Sequence, residues 1–238
     1  MSCEKVIKVA LDEVGYLEKK TNKQLDDKTA NAGYGNYTKY ARDLDNIKNF
    51  YNGKKNGYSW CDIFVDWCFV QVYGSEKAKD VLYQPDKSTG AGCKYSMNFY
   101  KNKKRFYKTP KKGDQIFFRR GNEITHTGLV YKVDNAKVYT IEGNTSSASG
   151  VVANGGAVVK KSYNLTSSYI AGYGRPNYGS ETNEEKQTIT KPLKSTNEIV
   201  KEVLAGKWGN GDNRKKKLIA AGYDYQEIQK RVNILLSQ

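Results

Sequence analysis

One histidine, His126, and four cysteines, Cys3, Cys61, Cys68 and Cys93, set the range of chemistry open to this 238-residue chain. With a single imidazole, any mechanism that needs an imidazole base has one candidate. Histidine and cysteine are the usual partners in thiol catalysis, so the question becomes which cysteine can face His126. Of the four, Cys61 opens a helix-like segment, where a thiol sees the positive end of the helix dipole; an adjacent imidazolium favours the thiolate further. The pair Cys61 and His126 is thus the first hypothesis, and it requires the Cys61 sulfur within hydrogen-bond reach of the imidazole. His126 lies in the strand-like run Ile124–Tyr131, where Gly128 and Val130 share its face by alternation; Val138, Thr140 and Glu142 share a face in the next strand. A hairpin through Asp134–Asn135 brings Glu142 or Asn144 close to His126, and either can accept the second ring N–H and hold the tautomer. Taken singly, a helix-start cysteine is ordinarily inert and a strand histidine ordinarily structural. The combination is what points to a thiol hydrolase.

The same residues exclude other chemistry. Cys61 and Cys68 are separated by six residues, no Cys-x-x-Cys pair exists, and one histidine cannot complete the usual zinc ligand sets. Four cysteines confined to the first half of the chain do not make a disulfide framework. Asp43 and Asp45 form one alternating acidic pair, with no further carboxylate before Asp62, which is thin for a calcium loop. No metal and no cofactor are expected.

The elements that must position these residues fall into two styles. Glu4–Leu17 reads as an amphipathic helix with Val6, Ile7, Ala10, Leu11 and Val14 on one face, and Thr38–Tyr51 as a second, ended by Gly53. Trp60–Tyr73 carries apolar residues at helical spacing; Ser75 is placed to cap a short helix to Leu82, and Cys93–Tyr100 suggests another. After Pro110 the runs 115–118, 125–133, 137–143, 156–163 and 169–174 are β-branched or aromatic and split by Gly, Asn and Asp. Helices first and hairpin-spaced strands second predict an α+β domain with an antiparallel sheet, over residues 1–176. Residues 177–194 are polar and read as a linker.

Residues 195–238 form a separate unit. Ser195–Glu198 is a capping-box pattern ahead of Ile199, Val200, Val203 and Leu204, and Gly206 stops that helix. A second helix spans about 212–221 with Leu218 and Ile219 apolar and Gly222 as its stop. Asp224 starts a third, with Ile228, Val232, Leu235 and Leu236. Together they predict a three-helix bundle with a small core.

The whole chain is strongly basic, 40 Lys+Arg against 25 Asp+Glu, a formal charge of +15, with a pI near 9.4 and a mean hydropathy of −0.77. Such a surface calls for an anionic partner. The basic residues are spread out and no arginine-rich tract is interleaved with aromatics, so nucleic acid is not expected; a phosphate-bearing cell wall attracts the same charge. No run approaches the ~20 apolar residues of a membrane span. The first ten residues lack the apolar core of a secretory signal, which predicts a chain that is either cytosolic or released by some route other than its own leader.

Read together, WCDIFVDWC, KKGDQIFF, THTGLVYKV and YTIEGNT resemble the successive blocks of the CHAP family, the cysteine, histidine-dependent amidohydrolases/peptidases that cut bacterial peptidoglycan. The likeness spans about Glu4 to Pro176. It implies a papain-like fold of the NlpC/P60 type and a catalytic group of Cys61, His126, Glu142 and Asn144, with Cys61 attacking an amide carbonyl, His126 protonating the leaving amine, and water releasing the acyl group. The Cys61 N–H is a natural oxyanion donor, with Asn56 or Tyr58 as a candidate side-chain partner. Cys3, Cys68 and Cys93 match no catalytic block.

The stretch from Glu198 to Asn233 is similar to the short muropeptide-binding repeats attached to certain phage lysozymes, with KWGNG and AGYDY as its most specific parts. In such a module Trp208 offers a face to a sugar ring, the Gly209-Asn210-Gly211 loop offers backbone donors, and Arg214 can pair with an acidic group of a stem peptide. The competing reading makes Trp208 a core aromatic and Lys215–Lys217 a solvated face. One copy implies low affinity by itself, with benefit from tethering. The two resemblances together imply an endolysin-like wall hydrolase, either an N-acetylmuramoyl-L-alanine amidase or a stem or cross-bridge endopeptidase, with an inactive wall-binding protein or a host wall-remodelling autolysin as the alternatives.

Overall fold

The computed structural model describes residues 3–85, 89–147, 155–179, 196–221, 223 and 225–236. The chain divides into two compact units, Met1–Ser180 and Glu181–Gln238. Most of the segment expected to be a linker, together with the expected caps and stops at Ser195, Gly222 and Asp224, lies outside the described residues.

The first unit is α+β. Helix α1 (Cys3–Asp12) buries Val6, Ile7 and Ala10. It stops five residues short of the expected Leu17, because the following backbone is taken by the sheet. Gly15 turns at φ +90°, and Gly15 N–H, Tyr16 C=O and Glu18 N–H pair with Val158 and Gly156, so residues 15–18 run as a strip along the last strand. Helix α2 (Lys39–Asp45) starts where expected, with the Thr38 hydroxyl accepting from Ala41 N–H. It too is short of its expected end, since tight turns after Asp45 bury Phe50 and Tyr51 instead. Asp45 then fastens the next loop by accepting from the N–H groups of Lys55 and Asn56.

Helix α3 (Cys61–Tyr73) is the centre of the unit, and nine of its residues from Cys61 to Phe69 are buried. A helix apolar nearly all round must be covered on all sides. Helices α1, α2, α4 (Ser75–Leu82) and α5 (Cys93–Asn102) and the sheet provide that cover. Gly74, at φ +73°, ends α3 and, rather than Ser75, serves as the N-cap of α4. The main core joins these helices through Val6, Tyr40, Leu44, Trp60, Ile63, Phe64 and Phe69 to Phe117, Leu129, Ile141 and Val158 of the sheet.

The sheet is antiparallel throughout, in the order β1-β6-β2-β3-β4-β5. Its strands are β1 (Phe106–Tyr107), β2 (Gln115–Arg120), β3 (Glu123–Val133), β4 (Lys137–Thr145), β5 (Ala157–Asn164) and β6 (Ile170–Gly174). The five longer strands fall on the expected runs; β1, two residues long, shows no periodicity that a sequence could display. The alternate residues Ile116, Phe118, Val130, Val138, Tyr163 and Tyr173 form a second core on the opposite face from the helices.

The second unit is a three-helix bundle of α6 (Thr196–Leu204), α7 (Gly211–Ala220) and α8 (Tyr225–Leu236) around Ile199, Val200, Val203, Leu218, Ile228 and Val232. Gly206, at φ +75°, ends α6 as expected, with Lys207 N–H bonding Glu202 C=O and Gly206 N–H bonding Val203 C=O. Leu235 and Leu236, expected in the core, are exposed.

Candidate active site

Cys61 is the first residue of α3 and is 6% exposed. The preceding Trp60 is fully buried, its indole N–H donating to Glu18 at 2.8 Å, so the helix start is anchored from outside the helix. The thiol does not titrate as its position alone suggests. Contact with the thiol of Cys93, followed by burial, pushes Cys61 well above the ordinary thiol range, overriding the helix dipole. In this conformation Cys61 is a protonated thiol.

Cys93 is the first residue of α5, and its sulfur donates to the carbonyl of Ile124 at 3.5 Å. Asp62, next to Cys61, locks the two helix starts together. It accepts from Gly92 N–H at 3.1 Å, Ser96 Oγ at 2.7 Å and Gln115 Nε2 at 2.9 Å, and Gln115 in turn reaches Thr127 Oγ1 at 3.1 Å. Burial raises the Asp62 carboxyl, and these donors work against that rise. None of this network was visible as a motif. Its one sequence signal was a second cysteine at a helix start, Cys93, immediately after Gly92.

His126 is fully buried on β3, opposite Phe118, on which its ring stacks at 5.7 Å. Its Nε2 meets Glu142 Oε2 at 2.9 Å. Glu142 also accepts from Thr140 Oγ1 at 2.6 Å and Tyr163 OH at 3.1 Å. Surrounded by hydroxyl donors, the carboxylate is an acceptor, so the ring carries its proton on Nε2 and presents a bare lone pair at Nδ1. That Nδ1 is buried with no hydrogen-bond partner among the described residues. Of the two candidates for orienting the ring, Glu142 makes the contact. Asn144 sits at φ +54° where the pairing of β4 with β5 shifts, and neither atom of its amide has a hydrogen-bond partner among the described residues.

Two glycines explain how these side chains fit. A Cβ on Gly128 would lie 2.6 Å from Glu142 Cγ, so the bare position opens the space through which Glu142 approaches β3. A Cβ on Gly143 would lie 2.6 Å from Phe64 Cβ and 2.8 Å from a Trp60 ring carbon, so Gly143 lets β4 press against the first turn of α3. The alternation that turns Gly143 toward α3 turns its neighbour Glu142 the other way, toward the second core with His126.

The expected hydrogen bond from the Cys61 thiol to the imidazole is not formed here: Cys61 starts α3 on the helix-covered side of the sheet, whereas His126 and Glu142 lie with Phe118 and Tyr163 of the second core on its other face, and Nδ1 has no partner among the described residues. The link between the two residues is indirect, through Cys93 to Ile124, two positions before His126 on β3. Of the suggested oxyanion side chains, Asn56 is committed to the loop, accepting from Thr38 N–H and donating to Asn22, while Tyr58 is exposed. Cys68 is fully buried on α3. Among the described residues no group of three or more His, Cys, Asp or Glu side chains is arranged to hold a metal ion, and no helix is long and apolar enough to cross a membrane.

In the bundle, Trp208 packs against the core, meets Tyr223 edge-on at 5.7 Å and donates to Glu202 at 3.1 Å. It also lines a shallow, open depression with Glu202, Lys207, Lys217 and Ala221, so it packs in the bundle and is partly accessible as well. Gly209 and Gly211 adopt positive φ, +73° and +53°, around Asn210. Arg214 differs from expectation: its guanidinium is spent inside the module, on Gly209 C=O at 2.8 Å, Asn210 Oδ1 at 2.9 Å and Gln229 Oε1 at 3.2 Å. It braces the glycine loop that begins α7.

With this geometry in view, the comparisons with known families divide the chain as the two units do. Residues 53–144 match the family model of the CHAP domain, which contains α3, α5 and the strands carrying His126 and Glu142. Residues 197–236 match the model of the CW_7 repeat. No curated protein and no solved structure matches the chain. The α+β unit thus contains a CHAP-domain match over residues 53–144, and its helices-then-sheet order is compatible with a papain-like fold. A CHAP domain indicates a peptidoglycan hydrolase, and the CW_7 repeat is a cell-wall-binding repeat.

Proposed function

We propose that this protein cleaves an amide bond of bacterial peptidoglycan by thiol catalysis, with Cys61 as nucleophile, His126 as acid/base and Glu142 as the group that orients and charges the imidazole. The observation that carries this reading is the placement of His126: Nε2 lies 2.9 Å from the Glu142 carboxylate, and the buried Nδ1 has no hydrogen-bond partner among the described residues. Such a nitrogen is a base waiting for a proton. Catalysis requires a rearrangement that brings the helix-side Cys61 thiol, released from Cys93, to the imidazole on the other face of the sheet, where Nδ1 takes its proton. The imidazolium is stabilised by Glu142, and the thiolate attacks the carbonyl carbon. The oxyanion forms at the start of α3, where unpaired backbone N–H groups and the helix dipole favour negative charge. His126 then protonates the leaving amine, and water, deprotonated by the same ring, releases the acyl group.

Two bonds suit this chemistry: the amide joining muramic acid to L-alanine, and a peptide bond within the stem or cross-bridge. The bundle, through Trp208 and the Gly209-Asn210-Gly211 loop braced by Arg214, holds the enzyme on a muropeptide. We place the protein as a phage or prophage endolysin, made in the bacterial cytoplasm and acting on the wall after release. Turbidity clearing of purified walls by wild type and by Cys61→Ala tests the mechanism. Wild type is expected to clear walls and the variant to bind without clearing. Equal clearing by both overturns the thiol mechanism. No clearing by either supports the second reading, a wall-binding protein with a silent site, which the engagement of Cys61 by Cys93 favours. Mass spectrometry of the released fragments separates new N-terminal L-alanine from new internal peptide ends.

A further inference from the structure

The catalytic reading leaves one buried nucleophile unused. Cys93 stands at the first position of α5, 8% exposed, and Cys61 at the first position of α3, 6% exposed; both are free thiols, and the two helix starts adjoin through Asp62, the neighbour of Cys61, which binds Gly92, the neighbour of Cys93. Their backbones are held together independently of the sulfurs. The Asp62 carboxylate spans from one helix start to the other, binding Gly92 N–H at 3.1 Å and Ser96 Oγ at 2.7 Å. The Cys93 sulfur is anchored a second time on the Ile124 carbonyl at 3.5 Å. Two thiols on rigid helix ends, clamped by a buried carboxylate, form an intramolecular dithiol whose second member is always at hand.

We infer that Cys61 and Cys93 are a redox pair, and that an external peroxide converts them to a disulfide that switches the enzyme off. The Cys61 thiolate attacks one oxygen of hydrogen peroxide, breaking the O–O bond and giving Cys61 sulfenic acid and hydroxide, which takes up the proton lost from the thiol to become water. The Cys93 thiolate then attacks the Cys61 sulfur. The S–S bond forms as the S–O bond breaks, and the departing hydroxide takes the Cys93 proton as a second water. Two thiols are oxidised by two electrons and one peroxide is reduced to two waters. A reducing thiol reverses the bond by exchange through a mixed disulfide. Cys93 thereby also protects Cys61, because a sulfenic acid captured as a disulfide does not advance to irreversible sulfinic acid.

The loss of activity rests on Cys61 being the nucleophile; formation of the bond does not. The full-length protein is therefore treated with hydrogen peroxide under native conditions, free thiols are blocked, and disulfide-linked peptides are mapped by mass spectrometry beside wall clearing. The expected result is a Cys61–Cys93 bridge, at least ten-fold slower clearing, and recovery with dithiothreitol. Cys93→Ser and Cys93→Ala should give no bridge and, after the same treatment, an activity loss that dithiothreitol does not restore. Absence of the bridge in native oxidised protein overturns the inference, as does full recovery of both Cys93 variants. A bridge formed without loss of clearing upholds the dithiol and overturns Cys61 as nucleophile.

Discussion

At the residue scale the site is an ordered relay with one gap. Glu142 has hydrogen bonds from His126, Thr140 and Tyr163, and His126 has one filled nitrogen and one empty one. Replacing Glu142 by Gln keeps the shape and removes the charge, and the amide can donate to Nε2 and trap the wrong tautomer. Clearing should fall by roughly 10²–10⁴-fold while wall retention stays unchanged, readable by turbidity and by pelleting with walls. The His126–Glu142 pairing was legible because each partner is restricted by type, one histidine and one acid at the right alternation on the neighbouring strand. Cys93 was not, because nothing in the run from Tyr83 to Gly92 reveals that it folds α5 back onto the start of α3. Nor could the thiol's protonation be read, since the dipole is a local property while burial and the Cys93 contact come from packing.

At the scale of elements, strands were legible and helix ends were not. Alternating runs located β2 to β6 to within a few residues. Helices α1 and α2 were over-extended because apolar periodicity continues past the point where the backbone finds better partners elsewhere. For α1 that partner is β5, and for α2 it is the buried turn at Phe50 and Tyr51. The contact of β4 with α3 is equally tertiary. Gly143→Ala places a methyl against Phe64 and Trp60, and should destabilise the protein by about 1–3 kcal/mol, seen as a lower urea midpoint at unchanged slope. The β3–β4 turn allows a pH test. Asp134 accepts from Tyr139 OH, then from the N–H groups of Ala136 and Lys137, which lower its carboxyl to about 2. A carboxylate depressed on folding contributes stability that is full above its unfolded value near 3.9 and is lost as pH falls through about 2. An NMR titration should find the Asp134 midpoint near 2, and Tyr139→Phe should move it up.

At the scale of the whole molecule the two units divide the task. One carries the thiol and imidazole; the other carries an aromatic face and a braced glycine loop. Arg214→Ala removes three internal hydrogen bonds, so it should lower the bundle's thermal midpoint as well as wall retention, whereas Trp208→Ala, from a half-buried site, should weaken retention more than folding. Differential scanning calorimetry with wall pelleting separates the two. The α+β class and the three-helix bundle were both legible, because helix-period and strand-period segments are segregated along the chain. The closure of the sheet was not. The strip at residues 15–18 occupies the outer side of β5, and Glu18 at its end also receives the indole of Trp60 beside Cys61. The match to the CHAP model begins at residue 53, after all of this. A protein trimmed to that boundary would leave a strand edge with its N–H and C=O groups unpaired, a template on which a second chain can add. Removal of residues 1–52 should therefore yield concentration-dependent aggregates on light scattering, and the first fifty residues act as a guard against self-association as much as a prop for the thiol.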